Sequence, residues 1–338
     1  ILAGYQSVSG KRNEGVLATV SKSGLSKHVL VPGGTSSDLL YDVVSLGNGL
    51  IAAAGQTYAS GTGNQGWLVR ASLGLTGIAQ FKYGASGTAS DAFNAIAAIS
   101  SKRVVLAGNT SAGPVGGTDG WLLTADIETG KVNGYDSKFG SPKTDYLYGV
   151  AADSGGHVLA VGRTSESTNY DTWQVRVGTD GKPECSGCSL YDVRYGNELE
   201  DPKYTTSSEY LYDVNPAKVG GGSYAAGNVF TGSQNGMDGL VVRRSDDGKK
   251  IWAKHYHKSA SDYVRGVVPL AGGGGVFVGY TQGVGSNNRD GWAVGFDDKG
   301  GQKWSKTFGG AANDYFHDAA ASGNYVVACG YRRLTSTS

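Results

Sequence analysis

Residues 290–315 read DGWAVGFDDKGGQKWSKTFGGAANDY, and this stretch contains the features that decide the fold. It opens with an acid, a glycine and a tryptophan and continues through an alternating segment from Trp304 to Phe308. It closes on a second acid followed by an aromatic residue, Asp314 and Tyr315. Large and polar residues that alternate with a period of two are typical of a half-buried β-strand. The same order of features recurs along the whole chain, so the repeat is the first evidence to consider.

Both landmarks occur six times. The copies of the first, with substitutions, are Glu14-Gly15-Val16, Gln65-Gly66-Trp67, Asp119-Gly120-Trp121, Asp171-Thr172-Trp173, Asp238-Gly239-Leu240 and Asp290-Gly291-Trp292. The acids of the second, each followed five or six positions later by small apolar residues, are Asp38, Asp91, Asp145, Glu209, Asp262 and Asp314. Successive acids in this second set are 53, 54, 64, 53 and 52 residues apart. A period near 50 residues is typical of a β-propeller blade.

Each unit contains four short strands, a to d. Strand a follows the second acid, strand b ends in a small residue and a glycine (Ala54-Gly55, for example), strand c begins at the first landmark, and strand d alternates. Complete units span 38–84, 91–140, 145–196, 209–257 and 262–310, while the chain starts inside one unit (1–33) and stops inside another (314–331).

The strand count selects the number of blades. Strands a, c and d each occur six times and strand b seven times, which gives 25 strands, whereas six blades need 24 and seven need 28. We therefore predict an all-β, single-domain, six-bladed propeller over residues 1–338, with seven blades as the alternative. The N- and C-terminal strands would together complete the sixth blade, which removes open sheet edges. One b strand, at 1–5 or 325–331, would then be surplus.

The 290–315 stretch resembles the tandem propeller repeats of many secreted or surface-anchored microbial proteins. Its Asp-x-x-Gly-x-x-x-Trp hairpin, Asp297 to Trp304, is also similar to that of quinoprotein-type repeats. The resemblance covers nearly the whole chain, but it concerns blades and no active site. It implies an extracellular module, and a shared fold does not by itself assign a function.

Composition limits the classes of partner. Glycine accounts for 56 of 338 residues without a three-residue period, which excludes collagen. The net charge of +1 gives no field for nucleic acid, and no apolar run is long enough to span a membrane, so neither partner is expected. Because the chain opens on Ile1 in the middle of a repeat, we expect a leader outside the numbered chain and a secreted or cell-surface location.

The six acids of the second landmark are candidate metal ligands. If strand a is innermost, Asp38, Asp91, Asp145, Glu209, Asp262 and Asp314 would surround a central channel, where carboxylates can hold Ca²⁺. The other interpretation is that each acid caps its own turn by accepting backbone N–H groups. We favour capping, because one ion does not need a ligand from every blade. Apart from this Ca²⁺ hypothesis, no cofactor is expected.

Other residues admit two interpretations each. The recurrent tryptophans could stack on sugars or pack between blades, and Leu240 at the same position favours packing. Cys185 and Cys188 suit a local disulfide or two thiols better than zinc, which needs four ligands. His255 and His257 lie on one side of a d strand, where they could form a metal pair or simply a solvated face.

The sequence favours a non-catalytic binding or scaffold function. The predicted ligand is a glycan or a protein, and the chain is compatible with a place as a subunit of a larger assembly. The predicted face carries Tyr58, Tyr170, Tyr204 and Phe230 in the b–c loops and in the insertion at 197–208. The alternative is a propeller enzyme acting on glycans as a hydrolase or lyase, with carboxylates at the channel mouth. We assign no catalytic residue.

Overall fold

The computed structural model describes residues 1–8, 12–21, 23–61, 63–84, 89–165, 169–178, 191–200, 207–232, 236–258, 260–282 and 288–332. Within these residues the chain forms 25 β-strands and no helix, which matches the strand count expected from the repeat. Consequently, no helix in this part of the chain has the length and hydrophobicity needed to cross a bilayer.

Five sheets have four antiparallel strands each, in chain order across the sheet. They are β4(Leu39–Ser45), β5(Leu50–Ala59), β6(Gly63–Ser72) and β7(Ala79–Tyr83); β8(Asp91–Ala98), β9(Arg103–Thr110), β10(Asp119–Asp126) and β11(Val132–Phe139); β12(Tyr146–Ala152), β13(Val158–Thr164), β14(Asp171–Val177) and β15(Tyr191–Tyr195); β16(Glu209–Pro216), β17(Ser223–Gly232), β18(Gly236–Arg244) and β19(Lys250–Tyr256); β20(Ser261–Pro269), β21(Gly275–Gln282), β22(Arg289–Phe296) and β23(Gln302–Phe308).

The chain ends supply the remaining strands. The N-terminal sheet contains β1(Leu2–Ser7), β2(Asn13–Ser21) and β3(Gly24–Val31), and the C-terminal sheet contains β24(Asp314–Ser322) and β25(Tyr325–Arg332). The all-β, six-bladed propeller class is confirmed, and the strands are too few for the seven-bladed alternative. The sequence placed the surplus b strand at 1–5 or 325–331. Both segments form strands in the structure, as β1 and β25.

By its internal contacts the chain divides into two compact units. The first comprises Ile1–Ala160 and Val177–Lys182, and the second comprises Val161–Arg176 and Pro183–Ser338. The single-domain assignment of 1–338 stays a prediction.

The landmark tryptophans are core residues. Trp67, Trp121, Trp173 and Trp292 are at most 1% exposed, so they cannot stack on a sugar, and the packing interpretation holds. Trp121, for example, packs on Phe93 at a centroid distance of 4.4 Å. The glycine before Trp67 allows similarly close packing: a Cβ on Gly66 would lie 2.6 Å from the Phe93 ring.

A β-bulge on strand a explains the glycine of strand b. This glycine was expected at the end of the strand, but it lies inside it, as Gly279 lies inside β21. In β20 the register shifts between Val264 and Gly266, which turns the Tyr263 carbonyl towards Gly279 on β21. A side chain at Gly279 would collide with that carbonyl, so the position requires glycine. The same shift occurs in β4, β8, β16 and β24. Each bulge changes the direction of the side chain of its extra residue, and these side chains contribute to one surface.

Candidate binding site

The bulged residues are the centre of the candidate site, and each lies three positions after the acid of its strand. They are Tyr41, Asn94, Tyr212, Arg265 and His317. Bulges next to functional sites commonly re-aim one side chain. In the second unit three of these residues, Tyr212, Arg265 and His317, join a continuous row of aromatic and arginine side chains.

We call this row the Tyr–Arg ladder, and it begins at β13. The guanidinium carbon of Arg163 lies 4.1 Å from the Tyr170 ring centroid and 5.3 Å from that of Tyr210. Tyr210 stacks on Tyr212 at 6.3 Å, and Arg265 lies 4.1 Å from the Tyr212 centroid. Guanidinium groups over tyrosine rings at these distances are stabilised by cation–π attraction.

The ladder continues through β21 and β22 to the C-terminal sheet. Tyr263 stacks on Tyr280 at 4.7 Å, and Tyr280 meets Tyr315 edge-to-face at 4.7 Å. Arg289 donates a hydrogen bond from Nη1 to the Tyr315 hydroxyl at 3.1 Å. Tyr315 stacks on Tyr331 at 4.5 Å. A pocket of about 310 Å³, lined in part by Asp314, Tyr315, Tyr331 and Arg332, lies at this end of the ladder.

The electrostatics of the ladder favour an anionic ligand. Arg265 and Arg289 are hydrogen-bonded to phenol hydroxyls, which do not cancel their charge. Partial desolvation, and then the hydrogen bond with Tyr315, raise the pKa of Tyr331 to about 12, so this phenol remains neutral. Desolvation and the charge of Arg265 lower the pKa of His317. Because the charges of Arg265 and Arg289 are not cancelled, the ladder is cationic at neutral pH.

The structure describes three of the four residues of the predicted aromatic face, and the face itself stays a prediction. Tyr58 and Phe230 are 37% and 40% exposed, at the b–c ends of β5 and β17. Tyr170 is half-buried and belongs to the ladder. Tyr170 and Phe230 flank the start of β16, because the Tyr170 carbonyl accepts the Glu209 N–H and the Phe230 N–H donates to the Ser208 carbonyl. Tyr204, Cys185 and Cys188 lie outside the described residues.

The acids predicted as a cation ring are buried caps. Asp38 accepts the N–H groups of Gly33 and Gly34 at 2.8 and 2.9 Å and the Thr57 hydroxyl at 2.6 Å. Four of the five equivalent acids accept loop N–H groups as well: Asp145 from Ser141, Glu209 from Asn197 and Glu198, Asp262 from Lys258, and Asp314 from Gly310. Asp91 accepts the Thr110 hydroxyl at 2.5 Å. Among the described residues only Asp262 of the six belongs to a group of three or more possible ligands. The Ca²⁺ ring stays a prediction.

The described part of the insertion at 197–208 has a structural role. Glu198 is 1% exposed and accepts hydrogen bonds from Arg244 and, at 2.8 Å, from the Thr172 hydroxyl. The Lys250 ammonium donates to the Glu198 carbonyl at 2.7 Å. A buried acid that is paired with arginine anchors the loop on the blade formed by β16 to β19.

Carboxylates also meet in buried pairs between strand c of one blade and strand a of the next. Desolvation first, and the charge of Asp145 in addition, raise the pKa of Asp119. Desolvation, followed by the charges of Glu198 and Asp171, raises the pKa of Glu209 to about 8. Perturbed acids can mark catalytic sites, but Asp119 and Glu209 are fully buried and occupied as caps.

Sequence reasoning did not find the ladder. The position three residues after the second acid carries it, with Tyr41, Asn94, Tyr148, Tyr212, Arg265 and His317 in successive units. An alignment of the six units would have shown polar and aromatic residues at this position. Strand alternation alone does not predict such residues there. The bulge on strand a was not predicted from the sequence. Without the bulge, the side chains at this position would face the other side of the strand.

Comparisons with known proteins agree on the fold and go no further. No protein-family model matches the chain, and no curated protein matches it significantly. Among solved structures, Sqt1 of Chaetomium thermophilum is similar with a TM-score of 0.52 and 11% identity, over 94% of this chain and 71% of that one. The β-propeller domain of the Trilobed protease from Pyrococcus furiosus, which has an open velcro topology, gives a TM-score of 0.47 and 12% identity over 86% and 77%. The class is thus a repeat-built β-propeller.

Proposed function

We propose that this protein is a non-catalytic binding and scaffold module whose second unit binds an acidic segment of a partner protein along the Tyr–Arg ladder. The observation that carries this proposal is the arrangement of Arg163, Arg265 and Arg289 over tyrosine rings. Arginine and tyrosine are the residue types most enriched at the energetic centres of protein interfaces.

The ladder is suited to binding because it is held rigidly by strands. Tyr210 and Tyr212 lie on β16, Tyr263 and Arg265 on β20, and Tyr315 on β24, and each strand is hydrogen-bonded to its neighbour. Side chains that stack on each other lose little further freedom on binding, so more of the interaction energy contributes to affinity. Carboxylates of a partner can approach the guanidinium groups, while its apolar atoms contact the rings.

The burial of the acids favours binding over catalysis. A glycoside-cleaving site requires two reachable carboxylates on either side of a bond. Here the carboxylate pairs recur at the blade junctions and serve as caps for backbone N–H groups. The alternative of a glycan hydrolase or lyase therefore lacks a supporting cluster among the described residues. The secreted or cell-surface location belongs to this proposal. A glycan ligand in place of a protein is the alternative that the glycan array below tests.

The proposal is tested by selecting random dodecapeptides on the immobilised chain in parallel with a glycan array. We expect enriched peptides to be rich in Asp and Glu, and their affinity to fall at least about tenfold in Arg265→Gln, because an interfacial charge-assisted contact is removed. Arg194→Gln is the matched control, since Arg194 also lies over an aromatic ring, that of Trp173 at 5.2 Å, but outside the ladder.

Two results would contradict the proposal. One is peptide binding that Arg194→Gln and Arg265→Gln weaken equally. The other is a glycan ligand whose binding is lost in a Tyr58→Ala, Phe230→Ala double variant and retained in Arg265→Gln, because binding would then use the b–c loops.

A further inference from the structure

Two buried carboxylates and two histidines converge in the blade formed by β16 to β19 and the first residues of β20. The Nδ1 atom of His257 lies 2.9 Å from Oδ1 of Asp238 and 3.6 Å from Oδ2 of Asp262. The Nδ1 atom of His255 lies 2.9 Å from the other oxygen of Asp238. Asp238 and Asp262 are 2% and 0% exposed.

This convergence occurs in one blade because His257 departs from the repeat. Strand d of every complete unit ends on an aromatic residue that pairs with the second residue of the first landmark, as Tyr256 pairs with Gly239. The residue after that aromatic is His257 here and glycine in the other four complete units, namely Gly84, Gly140, Gly196 and Gly309.

Gly140 and Gly309 occupy the same place between two acids. A Cβ on Gly140 would lie 2.6 Å from Oδ1 of Asp119 and 2.7 Å from Oδ2 of Asp145. Asp119 and Asp145 correspond in the repeat to Asp238 and Asp262. The junction is a pair of carboxylates in four of the five complete units, whereas the first complete unit has Gln65 in place of the first acid. Of these units only the fourth adds an imidazole to the junction.

His255 is a second departure in the same blade. It pairs with Leu240, which stands where four other units have tryptophan. The residues opposite three of those tryptophans are cations, Lys82, Lys138 and Arg194. Replacing both the tryptophan and the cation places the His255 ring against Asp238 and not over an indole.

We propose that Asp238, His257 and Asp262 bind a divalent transition-metal cation of the Zn²⁺ class, with His255 as a positioning residue that orients Asp238. Their ligand atoms all lie within 4.8 Å of one another. The separations of 2.9 and 3.6 Å bracket the edge of about 3.4 Å expected for a tetrahedron with metal–ligand bonds near 2.1 Å.

The ligand types select the metal. Imidazole suits Zn²⁺, Cu²⁺ and Ni²⁺, whereas Ca²⁺ and Mg²⁺ take sets made of oxygen alone. Two carboxylates would neutralise the charge of a divalent ion in a buried position. The His257 side chain is 44% exposed, which leaves the ion an approach from solvent and an open coordination position. A histidine that holds the second oxygen of a ligating carboxylate is a common outer-sphere partner.

The test is a titration of the metal-free full chain with ZnCl₂, followed by calorimetry and, with Co²⁺, by visible absorption. We expect one saturable site per chain that Ca²⁺ does not compete for. His257→Gly, which restores the residue of the other four complete units, should weaken Zn²⁺ binding by more than about 100-fold, while His255→Ala should weaken it by about 10- to 100-fold. His255→Gln, which retains a hydrogen-bond donor, should recover most of the loss.

The matched control is His157→Gln. His157 also contacts a carboxylate through Nδ1, that of Asp153 at 3.1 Å, but belongs to the first unit and should not affect Zn²⁺ affinity. Equal affinity of the wild type and a folded His257→Gly variant would overturn the proposal, as would the absence of saturable binding or effective competition by Ca²⁺. If His257→Gly does not fold, His257→Gln replaces it with the same expected loss.

Discussion

The Oδ2 atom of Asp213 accepts a hydrogen bond at 2.7 Å from the backbone N–H of Val267, 54 residues further along the chain. In the first compact unit, Asp42 accepts an equivalent hydrogen bond from the backbone N–H of Ile96, again across 54 residues. Each carboxylate follows the bulge of its own strand a and reaches strand a of the next blade. The bulge therefore serves two purposes, since it exposes one side chain and directs the next one to the neighbouring blade.

Removing the Asp213 carboxylate should destabilise the junction between β16 and β20. We expect Asp213→Ala to lower the free energy of unfolding by about 1–3 kcal/mol, because the Val267 N–H loses its acceptor inside the structure. Urea denaturation measures this change. Asp213→Asn keeps one acceptor oxygen and should lose less, so a variant series without this order would contradict the role of the bond.

Trp292 provides a second stability test, because the preceding unit of the repeat carries other residues at the equivalent positions. Trp292 donates from Nε1 to the Ser305 hydroxyl at 2.8 Å. In the preceding unit Leu240 stands in place of the tryptophan, and Ala253 stands in place of the serine. We expect Ser305→Ala to cost about 1–2 kcal/mol in the wild type and almost nothing in a Trp292→Leu background.

A double-mutant cycle measured by urea denaturation tests this coupling. Its expected coupling energy is about 1–2 kcal/mol. Additive effects of Ser305→Ala and Trp292→Leu would show that the hydroxyl contributes nothing to holding the indole. The simultaneous change at Leu240 and Ala253 would then need another explanation.

The blades could be predicted from sequence because every unit repeats the same local chemistry. The alternation that ends at Phe308 and the acid at Asp314 each mark a strand boundary, the glycine at Gly279 marks strand b, and six copies reinforce one another. The site was not accessible in the same way. Arg265 faces the ladder only because a bulge shifts the register at that residue, and alternation places such a residue on the wrong side of the strand.

The convergence of the histidines with the buried acids could not be predicted from the sequence either. His255 and His257 were recognisable as a pair on one side of a strand, and Asp262 was recognisable as a landmark acid. Their convergence depends on how strand d of one blade ends against strand a of the next, which is a tertiary relationship. Comparing His257 with Gly140 and Gly309 in an internal alignment is the signal that could have pointed to it.

Breaking the buried ion pair of Glu198 and Arg244 should destabilise the protein strongly. The two side chains are 0% and 4% exposed. Glu198→Ala would leave the Arg244 charge buried without this partner, so we expect a loss of about 3–5 kcal/mol in the free energy of unfolding. The control is the double variant Glu198→Leu, Arg244→Met, which should recover most of that loss. A double variant as unstable as Glu198→Ala would contradict the pairing argument.

Glu209 should make the stability of the protein depend on pH near neutrality. Desolvation, with the charges of Glu198 and Asp171, raises its folded-state pKa from an ordinary value near 4.5 to about 8. The folded chain therefore binds this proton more tightly than the unfolded chain does. The resulting stabilisation is fully present below pH 4.5 and is lost as the pH rises through 8. Between pH 6 and pH 8 the loss is about 2 kcal/mol.

Glu209→Gln removes that titration and keeps an oxygen that can accept the N–H groups of Asn197 and Glu198. We therefore expect the free energy of unfolding of the wild type to fall relative to that of the variant as the pH rises from 6 to 8. Urea denaturation at four pH values across this range measures the difference. Parallel pH profiles for the two proteins would mean that Glu209 is already ionised at pH 6, and the burial of its proton would be wrong.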